Sequence, residues 1–138
     1  MKARKKYAGK DVPLSIYEVD PFTWKAPDGK IPEDYKSLGR ELAAYASKEG
    51  YTHVELTPVM EYLDEKSRGY TTFSYYSPSR RLGKRKDFME MISTLHEAGV
   101  GVILDWTPAQ FPGTSAGLAL FDGTCLYEQD WIQRKYHA

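Results

Sequence analysis

The sequence predicts an α/β fold in which parallel strands alternate with helices in the order β-α-β-α-β. Three observations predict it. The run Val100-Gly101-Val102-Ile103-Leu104 is apolar at every position, the pattern of a short strand buried on both faces. Two longer segments instead repeat their apolar residues at helical spacing. A weak internal echo joins the two patterns: Glu49-Gly50-Tyr51-Thr52-His53-Val54-Glu55-Leu56-Thr57-Pro58 is similar to Glu97-Ala98-Gly99-Val100-Gly101-Val102-Ile103-Leu104-Asp105-Trp106-Thr107-Pro108, allowing small gaps. Each runs from a helix end through Gly and a strand to Thr-Pro, so successive strands lie parallel, joined by right-handed crossovers.

In chain order, residues 1–12 form a flexible basic entry that carries Lys2, Arg4, Lys5, Lys6 and Lys10. Such a run is most simply a solvated tail, with a polyanion contact as the minor reading. Leu14–Val19 alternates as a first strand, and Asp20-Pro21 ends it. A Pro- and Gly-containing loop over 20–34 holds Trp24. From Tyr35 to Glu49, the recurrence of Leu38, Leu42, Tyr45 and Ala46 marks one helical face, and Gly50 suits the C′ position that stops it. A second strand spans Tyr51–Leu56. Residues 59–86 form a long connection without clear periodicity, and long loops often carry function. A second helix fits Asp87–Ala98, with Phe88, Met91, Ile92 and Leu95 on one face and Gly99 ending it. Lys84, Arg85 and Lys86 at its amino end oppose the helix dipole, which reads as a local defect rather than an anion site. The third strand follows and Pro108, unable to donate to a ladder, closes it. Residues 129–138 are a polar tail.

Composition narrows the function classes. The 138 residues are formally neutral with pI near 6.8, so no broad basic field for nucleic acid or an anionic membrane is expected. No run approaches the roughly 18 apolar residues of a membrane span, and the expected location is cytoplasmic. The single cysteine, Cys125, excludes an internal disulfide and a Cys-based zinc site. His53, His96 and His137 lack metal spacing, Gly99-x-Gly101 follows a helix rather than a strand, and no Walker A sequence is present. Neither a cofactor nor a metal is implied. The acids Glu18, Glu55 and Asp105 lie on or at the ends of the three strands, where α/β folds place their chemistry. They either orient substrate hydroxyls or pair structurally with Arg or Tyr, and spacing leaves both open.

The motifs point further. Pro13-Leu14-Ser15-Ile16-Tyr17-Glu18-Val19 resembles the start of the catalytic domain of bacterial glycogen branching enzymes, of the α-amylase superfamily of glycoside hydrolases. The resemblance continues through Tyr51–Glu61, Gly69-Tyr70, Tyr75-Tyr76-Ser77-Pro78 and Asp87-Phe88-Met89. It is strongest at His96–Pro108, Gly117-Leu118-Ala119 and Phe121–Glu128. It implies that residues 13–128 are the first three strands of a (β/α)8 TIM barrel. Without it, the same elements equally open a doubly wound sheet.

The resemblance implies transfer of an α-1,4-glucan chain to an α-1,6 position in glycogen biosynthesis, by a retaining mechanism with two carboxyl groups. It places Asp105 in the first signature region and Tyr70 in the subsite around the scissile bond. Gln110 stands where the family has a histidine that contacts the same sugar, and Trp106 completes the substrate-binding set. Other departures are Thr71 for Gln, Arg68 for Trp, Asp20 for His, and Pro21-Phe22-Thr23-Trp24 for Leu-Gly-Ser-Trp. The family's catalytic carboxylates arise from later strands, and none corresponds to a residue here. A barrel of eight units needs about 250 residues. Two readings follow: a piece of a branching enzyme, inactive alone, or a non-catalytic remnant binding glucan or a partner protein through Trp24, Tyr70, Tyr75 and Trp106. The substituted cleft positions favour the remnant, and the scaffold motifs fit either. Self-association or binding of the missing barrel remainder is expected from open sheet edges.

Overall fold

A computed structural model describes residues 12–108 and, beyond them, 112, 114, 117, 118 and 122–125. Residues 1–11, Gln110 and the tail 129–138 lie outside the described residues. Strand β1 (Ile16–Val19) is followed by helix α1 (Tyr35–Glu49), strand β2 (His53–Leu56), strands β3 (Met60–Tyr62) and β4 (Thr72–Pro78), helix α2 (Arg85–Glu97) and strand β5 (Gly101–Leu104). β1, β2 and β5 form a parallel sheet with β2 in the middle. The helix–strand alternation is as the sequence predicts.

Local chemistry explains the boundaries of α1. The Asp34 carboxylate accepts from the Ser37 amide at 2.7 Å, and Ser37 Oγ accepts from the Asp34 amide at 3.2 Å, so each satisfies an orphan donor of the first turn. At the other end Gly50 takes the left-handed conformation, φ 81°, and Tyr51 donates back to the Ala46 carbonyl at 2.9 Å. At the start of α2 the three cationic residues are offset rather than left as a defect. Asp87 in the first turn accepts from the Lys84 amide at 2.9 Å, and Lys36 of α1 reaches Asp87 and Glu90 at 3.6 and 3.0 Å.

Both helices cover one face of the sheet. Val19, Val54 and Leu56 are buried there against Leu38, Leu42 and Ala46 of α1 and Met91 and Leu95 of α2. Gly39 sets the closeness of the two helices. A Cβ on it would stand 3.0 Å from the Met91 Cα, so a methyl there would press the helices apart by a few tenths of an ångström. The opposite face carries two register layers, Ile16–His53–Gly101 and Glu18–Glu55–Ile103, and no helix packs on it among the described residues. The third strand is therefore not buried on both faces. β5 is an edge strand of this sheet with Leu104 39% exposed. Its continuous apolar pattern suits a strand covered on both sides, and here only one side is covered.

The connection 59–86 also differs from expectation. It contains an antiparallel hairpin, β3 with β4, and two single-turn helices at Glu65–Ser67 and Arg80–Leu82. The pairing shifts register twice, and the residues buried in β4 are Thr72, Tyr75 and Pro78, every third position rather than every second. That pattern matches neither the strand nor the helix template. The hairpin is tied to α1 by the buried Tyr35 hydroxyl, which donates to the Ser79 carbonyl at 2.6 Å. Glu61 gathers the Arg80 amide at 2.9 Å and the Arg81 guanidinium at 3.0 Å, and Arg81 lies 3.9 Å above the Tyr62 ring.

On the helix-free face, the His53 ring lies across Gly101. A Cβ on Gly101 would meet the imidazole Cδ2 at 2.2 Å. Gly101→Ala should cost about 1–3 kcal/mol through this collision. The same change in a His53→Ala background should cost clearly less, measured by urea unfolding in a double-mutant cycle. Equal costs in the two backgrounds would mean the ring is not the obstacle.

Candidate functional site

The carboxyl ends of the three parallel strands lie at one level, because Val19, Leu56 and Leu104 are register partners. Asp20 follows β1, Thr57-Pro58 follows β2 and Asp105 follows β5. The Asp105 amide donates to the Leu56 carbonyl at 2.9 Å, which extends the ladder by one rung and fixes the root of the acid.

The segment joining β3 to β4 crosses these ends and touches all three. Arg68 Nη2 reaches Asp20 Oδ2 at 2.7 Å. Gly69, at φ 91°, packs on the end of β2 so closely that a Cβ would stand 2.4 Å from the Pro58 carbonyl oxygen. Tyr70 lies close enough to Asp105 for the carboxylate to raise the pKa of its hydroxyl. Arg68 itself sits at φ 52°, the one described non-glycine residue in the left-handed region. The turn is internally bonded: the Arg68 amide donates to the Glu65 carbonyl at 3.1 Å and the Tyr70 amide to the Ser67 carbonyl at 3.0 Å.

Electrostatics follow from these contacts. Burial pushes the Asp20 carboxyl up, but hydrogen bonds from Arg68, the Phe22 amide and Thr23, with the Arg68 charge, outweigh it and hold the pKa below the usual range. The same pairing raises Arg68. The Tyr70 hydroxyl is held above the ordinary phenol value by burial first, then by the charge and hydrogen bond of Asp105 and the charge of Glu18, with Arg68 opposing. Tyr70 thus stays a neutral donor beside two carboxylates and one guanidinium. A half-exposed phenol beside a carboxylate presents a polyol with one donor and several acceptors.

Of the sequence-predicted site residues, Tyr70 and Asp105 are brought together. Trp106 is 49% exposed and leans edge-on against Tyr75, with ring centroids 5.9 Å apart and its indole N–H donating to the Tyr75 carbonyl at 3.4 Å. Gln110 lies outside the described residues. Two aromatic rings considered for partner contacts are corrected. Trp24 is buried, its indole N–H donating to the Tyr17 hydroxyl at 3.2 Å, and Tyr75 is buried beneath Trp106. Each is a core ring rather than an open platform. The Asp20–Arg68 pair escaped the sequence reading, although both positions stood out as departures from the family pattern. The two residues are 48 positions apart, and no local spacing links them. Thr71, beside Tyr70, has a buried hydroxyl without a hydrogen-bond partner. A separate groove of about 430 Å³ runs along Ala26, Asp28, Lys30, Glu33, Asp34 and Arg40 and includes none of the strand-end residues. Among the described residues, no group of three or more His, Cys, Asp or Glu could hold a metal ion, and no helix is long and apolar enough to cross a membrane.

Comparison with known proteins locates this arrangement. No family model matches the chain. The 1,4-alpha-glucan branching enzyme GlgB of Aquifex aeolicus is 45% identical over 141 residues, covering 97% of this chain and 22% of the relative. That of Pseudomonas aeruginosa is 43% identical over 129 residues, covering 94% and 18%. The chain is homologous to part of the 1,4-alpha-glucan branching enzymes. It spans about a fifth of the length of these branching enzymes. Among solved structures, a Salmonella typhimurium protein assigned as an alpha amylase matches with TM-score 0.63 and 26% identity, over 78% of this chain and 17% of that one. A trehalose-6-phosphate hydrolase, TreA, of Bacillus licheniformis matches with TM-score 0.57 and 26% identity, over 68% and 17%. The parallel β1-β2-β5 sheet with its two helices is a part of an alpha-amylase TIM barrel, and the doubly wound alternative is set aside.

Asp20 makes acid stability testable. A carboxyl whose folded pKa lies below the ordinary 3.8 contributes fully above that value, and its contribution is lost as pH falls through the folded pKa. Asp20→Asn should therefore flatten the fall in urea midpoint below about pH 4. At neutral pH it should cost about 1 kcal/mol or less, because Arg68 is largely exposed. An unchanged acid limb in the variant would exclude this pair as a contributor.

Proposed function

We propose that this chain forms one wall of the α-glucan cleft of a branching enzyme and is inactive by itself. The observation that carries the reading is the gathering of exposed Tyr70 and Trp106 around Asp105 at the carboxyl ends of the strands, where the Asp105 amide is fixed to the Leu56 carbonyl at 2.9 Å. In it, Asp105 and Tyr70 bind hydroxyls of the glucosyl unit at the scissile bond, the exposed face of Trp106 lies along the glucan, and Gln110 adds a neutral hydrogen bond. Retaining transfer needs two carboxyl groups about 5–5.5 Å apart, one as nucleophile and one as acid and base. Asp20 is paired with Arg68 and Asp105 is given to substrate binding, so the two do not make up that pair. The reacting acids then come from the four fifths of the relatives' length that this chain does not span. Residues 13–128 serve as the first three strands of the barrel, in the cytoplasm, where glycogen is made.

The missing remainder is the natural partner. β1 and β5 each have one unpaired edge in the described sheet, and the helix-free face presents Ile16, 43% exposed, beside Glu18 and Glu55. Such edges and faces drive association. Sedimentation of the purified chain should show species larger than a monomer, whereas a monomer that unfolds cooperatively would count against the open-edge picture.

Activity separates the two readings of function. The chain alone should form no new α-1,6 linkages from linear α-glucan. Placed in the Aquifex aeolicus enzyme in place of the matched 141 residues, it should give a branching chimera. In that chimera Tyr70→Phe should lower kcat/KM about 10- to 100-fold, the worth of one hydrogen bond to a buried polar partner. A folded but inactive chimera would favour the remnant reading, and turnover by the isolated chain would overturn the inactivity.

A further inference from the structure

We infer that Arg68 is a positioning residue: its ion pair with Asp20 clamps the β3–β4 connection to the end of β1 and so holds Tyr70 over the strand ends beside Asp105. The contacts of that connection divide by what they can do. Gly69 on Pro58 is a close approach that stops the loop from moving inward, but packing of this kind does not stop it from lifting away. Arg68 to Asp20, at 2.7 Å, is attractive and directional. It also crosses from the loop to a different strand end, 48 residues earlier in the chain.

The clamp is transmitted to Tyr70 because the turn between them is stiff. Arg68 and Gly69 occupy successive left-handed conformations, φ 52° and 91°. The amides of Arg68 and Tyr70 bond back into the Glu65–Ser67 turn at 3.1 and 3.0 Å, and the Thr72 hydroxyl donates back to the Gly69 carbonyl at 3.2 Å. A non-glycine residue persists at positive φ only where its surroundings hold it, and the ion pair is such a restraint. The other end is equally fixed. Asp20 is 15% exposed at its side chain, and its second oxygen accepts from the Phe22 amide at 2.9 Å, so the anchor cannot swing toward the loop. Two rigid bodies joined by one charged contact behave as a latch.

The functional consequence rests on the reading of Tyr70 as a glucan contact, but the placement of Tyr70 does not. The two are therefore tested separately. Carbon-13 tyrosine NMR of the full chain follows the Tyr70 titration, its resonance assigned by loss in Tyr70→Phe. If Arg68 positions Tyr70, Arg68→Ala and Asp20→Asn each release the ring from Asp105 into solvent, and Tyr70 titrates at lower pH than in the parent chain. Arg68→Lys, which keeps the charge, should stay closer to the parent. If Arg68 is only a nearby cation, its removal instead raises the Tyr70 titration and Asp20→Asn leaves it unmoved, and either result overturns the proposal. Should Arg68→Ala fail to fold, Asp20→Asn gives the same readout with its turn-forming oxygen retained. In the Aquifex chimera, Arg68→Ala should lower kcat/KM about as far as Tyr70→Phe, and the double variant no further. Additive losses would overturn the positioning role even in an active chimera. An inactive chimera with the titration result intact would sink the glucan reading alone.

Discussion

The strand ends are brought to one level by a single constraint, the parallel pairing of β2 with β1 on one side and β5 on the other. Because the three strands share register, the first residues beyond them are presented as a set: Asp20, the Thr57-Pro58 pair and Asp105. Neither β1 nor β5 touches the other, so β2 alone sets their relative height. A slip of one residue on either side would turn every side chain of that strand to the wrong face and take its terminal acid out of line. The helices α1 and α2 hold the register by filling one face with a closely packed apolar layer, and Gly39 lets them come near enough to do so.

The other face has the opposite character. Its layers contain a glutamate pair, Glu18 beside Glu55, and an imidazole laid over a glycine. Like charges on directly neighbouring strand positions repel, and water screens them while the face is open. Covering the same face with apolar surface would strand both carboxylates and cost several kcal/mol each without cationic or hydrogen-bonding partners. Whatever covers this face must therefore bring cations or hydrogen-bond donors to Glu18 and Glu55 while packing on Ile16 and Ile103.

Legibility in the sequence varied with the range of the interactions. Helix α1 is read over Tyr35–Glu49 because caps and apolar period are both local and both present. The parallel strands are found to within one or two residues, for they sit between those helices and marked turns. The β3–β4 hairpin is invisible to periodicity, since its bulged pairing buries every third residue of β4. Trp24 was a plausible open ring because an indole suits a core and a sugar platform equally, and only the Tyr17 hydroxyl above it decides the matter. Asp105 stands out as an acid at a strand end, whereas Tyr70 is reached only through family resemblance. Tyr70 lies before β4 and Asp105 after β5, and no short motif links them. The Asp20–Arg68 pair is the same problem in a sharper form, with 48 residues between two charges that have other opposite charges closer in sequence.

That pair also changes how the departures from the family pattern weigh. Taken singly, Asp20 and Arg68 look like two independent losses in a cleft, and independent losses favour a remnant. Bonded to each other at 2.7 Å, they form one replacement of one contact. Random decay of a site leaves unpartnered groups, as Thr71 with its unsatisfied hydroxyl illustrates. A matched anion and cation, one of them held in a strained left-handed turn, is a more demanding outcome. It leaves Tyr70 beside Asp105 at the strand ends. The two substitutions therefore count as one exchange of a paired contact, which leaves the connection anchored across the strand ends.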